Sequence, residues 1–347
     1  MSSNSVHSTI VWPFIIAIFL TLFISVLDPA HADENTCNLQ SESSPPIPKV
    51  SRQVKMELVA SFFDPNRLHA VQGIDLEFDE SGAAETVLVS AGGLHNLGVF
   101  DGDLKPKFFQ RAPQSFAEPN RSGDVVSFKD GRIGLLTYDN PYVTVFSRSG
   151  EVLSQFNRDM RETEDRDTVA FLTPVGLALD ADENLVIADR GNSRIITATT
   201  EGKFISFFKA EIPYDVIRVE DCFLVSLREE KVLSIFHADG RFSHTIDVRL
   251  ADAEESAPIE TSFALNQHVS LGPDGMLYVV DTAAFRILVL HPTGVVSEEL
   301  THPILGTIRS AVVDEKGNIY TGGFKRDAHR MGYPGREAGL FKFRRPN

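Results

Sequence analysis

Tyr214, His268 and Arg309 are the side chains of this 347-residue chain best suited to share one reaction. A phenol and an imidazole can give or take a proton, and a guanidinium can hold a developing oxyanion. Each heads a short apolar run: Tyr214 before DVIRV, His268 before VSL, Arg309 before SAVV. Gln72 and Gln267 stand in similar places. A second group lies near the C-terminus, where GFKRDAHRMGYPGRE (323–337) offers Lys325, Arg326, His329, Arg330 and Arg336 against only Asp327 and Glu337. Such a loop suits a carboxylate or phosphate, or it is a solvated loop with internal ion pairs. Which of these residues act together depends on the elements that carry them.

Other chemistry is thinly represented. No Gly-x-Ser-x-Gly, no phosphate-binding glycine loop and no His-Glu-x-x-His occurs in the chain. Cys37 and Cys222 fit no metal or redox spacing; a disulfide is permitted by export, but Cys222 reads as a small buried hydrophobe and Cys37 as part of a mobile linker. The formal charge of −15 argues against nucleic acid and anionic lipid as partners.

Ile10 to Leu27 is a nearly unbroken apolar run, followed by Ala30-His31-Ala32, which has the form of an export cleavage site. Residues 1–32 therefore read as a signal peptide or, because the run is long and MSSNSVHST lacks Lys and Arg, as an uncleaved N-terminal anchor. Both place the body outside the cytoplasm, secreted or periplasmic or anchored through residues 10–27, and the membrane is involved only through that anchor. The Ser/Pro-rich 33–54 stretch reads as a linker.

The remaining chain is built from repeats. GLALDADENLVIADRGNSRIITATTEGKFISFF (176–208) aligns without a gap on HVSLGPDGMLYVVDTAAFRILVLHPTGVVSEEL (268–300). A third copy runs 310–324 and resumes at 339–343, and weaker copies occupy 73–109, 124–156 and 215–246, which makes six. Each has four short runs rich in Val, Ile, Leu and Phe, with Gly-containing turns between them, the pattern of an antiparallel meander. Six meanders that cannot bury both faces alone close into a ring. The expected fold is all-β, a six-bladed β-propeller of four-stranded antiparallel blades over residues 55–347. KMELVASFF (55–63) reads as an outermost strand with no inner strands before it, and the last repeat stops after its third strand. The N-terminal strand is thus expected to complete the C-terminal blade.

Pro174, Gly176, Asp180, Asn184, Ala188, Asp189, Asn192, Arg194 and Ile195 make the chain resemble the NHL-repeat family of six-bladed propellers, with partial matches at Gly275, Tyr278, Asp281, Arg286, Ile287 and at Asp314, Gly317, Asn318, Tyr320. The Asp and Arg positions are expected to pin adjacent blades. Phase alignment sets Gln72, Gly123, Val175, Tyr214, Gln267 and Arg309 at the channel position, a ring that is polar and short of acids, in which Tyr214 and Arg309 are expected to fill and plug the channel through hydrogen bonds. The resemblance extends to lactonase-type propellers that hold calcium with axial Glu, Asn and Asp, and to an NHL-like lyase that binds zinc with three ring histidines. Here His268 falls one residue late and His69 is its one companion, so no metal ligands are assigned and no cofactor is expected.

The oversized links, 111–122, 157–172, 248–265 and 323–338, all fall on one face. The expectation is an exported, monomeric binding or scaffolding module for a protein, peptide or saccharide, with an anionic group of that ligand at the basic loop. Its ligand residues are Gln72, Tyr214, Gln267, His268, Arg309, Arg326, His329, Arg330 and Arg336. The alternative is a metal-dependent lyase or lactonase-type hydrolase at the axial mouth, using calcium or zinc with Tyr214, Arg309 and His268 as catalytic groups.

Overall fold

The computed structural model describes residues 37, 39, 45–64, 66–68, 70–92, 95–112, 122–137, 141–157, 171–227, 232–251, 268–325 and 338–346. Short Val- and Ile-rich runs form six antiparallel blades. Blade I contains Ala70–Phe78, Ala84–Gly92, Leu97–Asp101 and Pro106–Gln110. Blade II contains Ser122–Ser127, Ile133–Thr137, Tyr142–Phe146 and Val152–Asn157. Blade III contains Pro174–Leu179, Leu185–Asp189, Arg194–Ala198 and Phe204–Lys209. Blade IV contains Pro213–Val219, Cys222–Leu227, Val232–His237 and Phe242–Asp247. Blade V contains Val269–Leu271, Leu277–Asp281, Arg286–Leu290 and Val295–Thr301. Blade VI contains Leu305–Val313, Ile319–Lys325 and Ala338–Arg344, and its fourth strand is Glu57–Phe62 from the other end of the chain.

The tight turns share one device. In 79–83, 101–105, 180–184 and 314–318 the opening Asp accepts, through Oδ1, the N–H groups two and four residues on. The fourth residue then takes a positive φ, 79° at Gly82 and 78° at Gly317, which glycine adopts without steric cost.

The apolar core consists of six separate wedges, one between each pair of neighbouring blades. A blade is therefore stable only between its neighbours, and the ring must close. Closure rests on Glu57–Phe62, which pairs antiparallel with Ala338–Arg344 as the sequence predicts. Phe62 also packs edge-on against Phe100 of blade I, with ring centroids 5.0 Å apart.

The N-terminal segment does more than the sequence reading assigns to it. Arg52–Lys55 adds a parallel strand to the outer edge of blade V, beside Arg249–Leu250, which pairs with the same strand. Ser51 Oγ donates to Val296 O at 2.7 Å, and His291 Nε2 donates to Pro45 O at 2.8 Å. Cys37 forms a disulfide with Cys222 of blade IV, which corrects the expectation of a mobile Cys37 and an unbonded Cys222. The two are 185 residues apart in sequence, so no local pattern joins them. The strap thus crosses blades IV, V and VI.

Deleting residues 57–62 is expected to expose the edge of Ala338–Arg344 and open the ring. Size-exclusion chromatography should show oligomers or aggregate, and the cooperative thermal transition should be lost. A monomer with an unchanged melting curve contradicts the closure.

Candidate functional site: the axial cavity

The innermost strand of every blade has one edge with no strand beside it, so its N–H groups need other acceptors. Three aspartates supply them. Asp75 Oδ1 accepts Leu76 N–H of its own strand and Oδ2 accepts Ser127 N–H of blade II, at 2.9 and 2.6 Å. Asp124 does the same for Val125 and for Leu177 of blade III, at 2.9 and 3.1 Å. Asp215 does so for Val216 and for Val269 of blade V, both at 2.9 Å. Each carboxyl is buried or nearly so and stitches one blade to the next.

Room for two of them comes from glycine. A Cβ on Gly73 would overlap the Asp124 carboxylate, and one on Gly176 would lie 2.8 Å from Asp215 Oδ1. At this level the ring reads Gly73, Asp124, Gly176, Asp215, His268, Ser310, two glycine–aspartate pairs and one histidine–serine pair. His268 Nε2 and Ser310 Oγ are 3.2 Å apart, and the same Nε2 lies 3.9 Å from Asp215 Oδ2.

Asp124, Asp215 and His268 of this ring help wall a cavity of about 250 Å³ to which all six blades contribute. Asp124, Asp215 and His268 line it together with Asp75, Ser127 and Ser270, and Arg218 stands at its exposed rim. Burial dominates the electrostatics. It raises Asp75 to about 6 against the pull of its two N–H donors. It raises Asp124 to about 7, with the like charge of Asp215 adding to the effect and His268 opposing it. Asp215 is raised to about 7 by burial, against the pull of its N–H donors Val269 and Val216. His268 is lowered by burial, with Asp124 opposing, so near neutral pH its imidazole is uncharged.

Of the residues singled out from the sequence, His268 lines this cavity. Gln72, Tyr214 and Arg309 sit half-buried one place earlier on their strands. Side chains one place apart on a strand face opposite ways. In three repeats the cavity takes the next residue, Asp124, Asp215 and His268, and the expectation of an axis short of acids is corrected to one lined by Asp75, Asp124 and Asp215. Tyr214 lies under the Arg190 guanidinium, 5.6 Å from its ring centre. Gln267, Arg326, His329, Arg330, Arg336 and His69 lie outside the described residues, whereas Lys325 rests its ammonium 3.9 Å from the centre of the Phe63 ring. Sequence reading missed Asp75, Asp124, Asp215 and Ser310; the available signal was the Gly-Asp-Gly-Asp alternation one register later.

The NHL-type Asp and Arg residues also have a different partner from the one expected. Arg194 Nε donates to Asp189 Oδ2 at 2.9 Å, and Asp189 also holds Asn192 and the Leu172 N–H. Arg286 pairs with Asp281 in the same way. Both pairs are internal to a blade and fix the link between its second and third strands instead of joining adjacent blades.

The fold and this repeat geometry define the class: a six-bladed β-propeller carrying an NHL repeat. The NHL repeat family model matches residues 171–196, the inner half of blade III. No curated protein matches the sequence. Among solved structures, the chain is similar to a streptogramin B lyase, at 12% identity and a TM-score of 0.56 over 84% of this chain and 98% of that one. It is similar to a catalytically inactive histidine-to-alanine variant of virginiamycin B lyase from Staphylococcus aureus with quinupristin, at 11% identity and 0.53 over 83% and 99%. A protein of unknown function from Bacteroides caccae follows at 13% identity and 0.51 over 74% and 88%. At these identities the likeness shows the fold.

The three aspartates hold protons more tightly in the folded chain than in the unfolded one. Their contribution to stability is complete below about pH 4 and is lost as pH rises through 6 to 7. His268, lowered by burial, works oppositely below about pH 6.5 and offsets part of this. Asp215→Asn should be less stable than the wild type by about 1–3 kcal/mol at pH 4.5, through loss of an acceptor. The gap should narrow toward pH 7.5, since the amide does not titrate. Urea midpoints across that range measure it; parallel profiles contradict the raised pKa.

Proposed function

We propose that this chain is an exported binding propeller that engages a protein, peptide or saccharide, and that the axial cavity receives one small group of that ligand. The observation that carries this reading is the state of the cavity's polar groups. Each aspartate has both oxygens engaged by backbone N–H groups, which makes a rigid, preorganised wall of the kind that binding sites use. A nucleophile–base–orienter set needs both ring nitrogens of the base, one for each neighbour. Here Ser310 and Asp215 both approach Nε2 of His268, an arrangement that favours binding over acyl transfer.

A metal-dependent reaction at the axis draws no comparable support. Among the described residues, the trio of His, Cys, Asp or Glu whose donor atoms lie within 4.8 Å of one another is Cys37, Cys222 and His237, far from the axial acids in the fold.

The test has two parts. Ligands found on peptide and glycan arrays with the full chain should lose at least tenfold in affinity for Ala178→Leu, which fills part of the cavity from blade III, while the variant remains folded. Unchanged affinity, or release of a cleaved product on long incubation, overturns the reading. The basic loop, 323–337, is proposed to meet an anionic group of the same ligand. Arg326→Ser, Arg330→Ser and Arg336→Ser together should weaken binding and flatten its salt dependence, with stability changed by about 0.5 kcal/mol or less per site. Affinity that ignores both salt and the substitutions contradicts that contact.

A further inference from the structure

Cys37 and Cys222 meet beside a histidine. Cys222 opens the second strand of blade IV and His237 closes the third, and the two are paired directly in the antiparallel register, so their side chains share one face of the sheet. Cys37 arrives from the strap and is buried there among Val219, Leu224 and Ile246. Its Sγ lies 3.3 Å from His237 Nδ1, and the three donor atoms lie within 4.8 Å of one another. The structural disulfide needs no imidazole at that place, yet the half-buried His237 ring lies against it.

We propose that, once the disulfide is reduced, Cys37, Cys222 and His237 form a binding site for a thiophilic d10 metal ion, and that the strap is latched to blade IV either by the covalent bond or by the metal. Two thiolates and one imidazole suit Zn²⁺ or Cu⁺ by ligand softness. Tetrahedral zinc with bonds of about 2.3 Å to sulfur and about 2.0 Å to nitrogen places its ligand atoms roughly 3.5 Å apart. The sulfur–nitrogen distance already matches, and a Cα–Cα separation of 6.0 Å lets the two sulfurs part by side-chain rotation alone. The redox step is balanced: a dithiol donor supplies two electrons and two protons, the S–S bond breaks to two thiols, and the donor leaves as its own disulfide. Metal binding then displaces the two thiol protons.

The probe is Zn²⁺ alone. The full chain is reduced with a water-soluble phosphine, freed of it without oxygen, and titrated with Zn²⁺ against a chromophoric chelator. The reduced chain should take up one Zn²⁺ with submicromolar affinity and regain the melting temperature of the oxidised form. The oxidised chain, folded and disulfide-linked, should take up none at this site. His237→Ala, reduced, should lose at least tenfold in affinity, and Co²⁺ should give a thiolate charge-transfer band that vanishes in Cys222→Ser. Equal uptake by oxidised and reduced chain, unchanged affinity in His237→Ala, or a reduced chain that takes up no Zn²⁺ or fails to regain its fold with it, each overturns the proposal.

Discussion

A ring of blades leaves six inner edges facing an axis where no further strand can fit. The N–H groups on those edges are obligatory donors, and leaving one unmet in a buried place costs about 1–3 kcal/mol. The carboxyls of Asp75, Asp124 and Asp215 answer this need, each taking one N–H from its own strand and one from a neighbouring blade. An apolar residue there leaves the edges unsatisfied, and at Asp124 and Asp215 the carboxyls have room because Gly73 and Gly176 carry no Cβ. The geometry of the axis follows from that one requirement.

Burying three acids to meet it has consequences. Their pKa values rise to about 6 and 7, so near neutral pH the axis holds protons shared among groups that also brace the scaffold. The third pair of the ring departs from the glycine–aspartate pattern, and the imidazole of His268 stands there facing two carboxyls. Space remains in the centre because several facing positions are small, among them Ala178 and Ser270. The walls of this cavity are fixed by hydrogen bonds to the backbone.

The sequence carried much of this plainly. The turns were legible because their Gly-containing dipeptides, such as those at Gly82 and Gly317, have a local physical cause, and six repeats in phase left closure through the N-terminal segment 55–63 as the natural solution. Features set by distant contacts were not legible. Cys37 and Cys222 are joined across half the ring, and Arg52–Lys55 gains its strand only because the outer edge of blade V is open to it. The axial site was displaced by a single residue in blade IV: Tyr214 and Asp215 are neighbours on one strand, Asp215 lines the cavity, and the alignment alone does not say which of the two does.

The claim that the inner edges are held by buried, proton-rich carboxyls is tested most directly by following the carboxyl ¹³C resonances of Asp75, Asp124 and Asp215 by NMR as pH is varied. The account predicts midpoints near 6 for Asp75 and near 7 for Asp124 and Asp215, with the N–H resonances of Ser127, Leu177 and Val269 shifting in step with the carboxyl each one meets. Midpoints near 4, or backbone resonances that ignore the titration, contradict it.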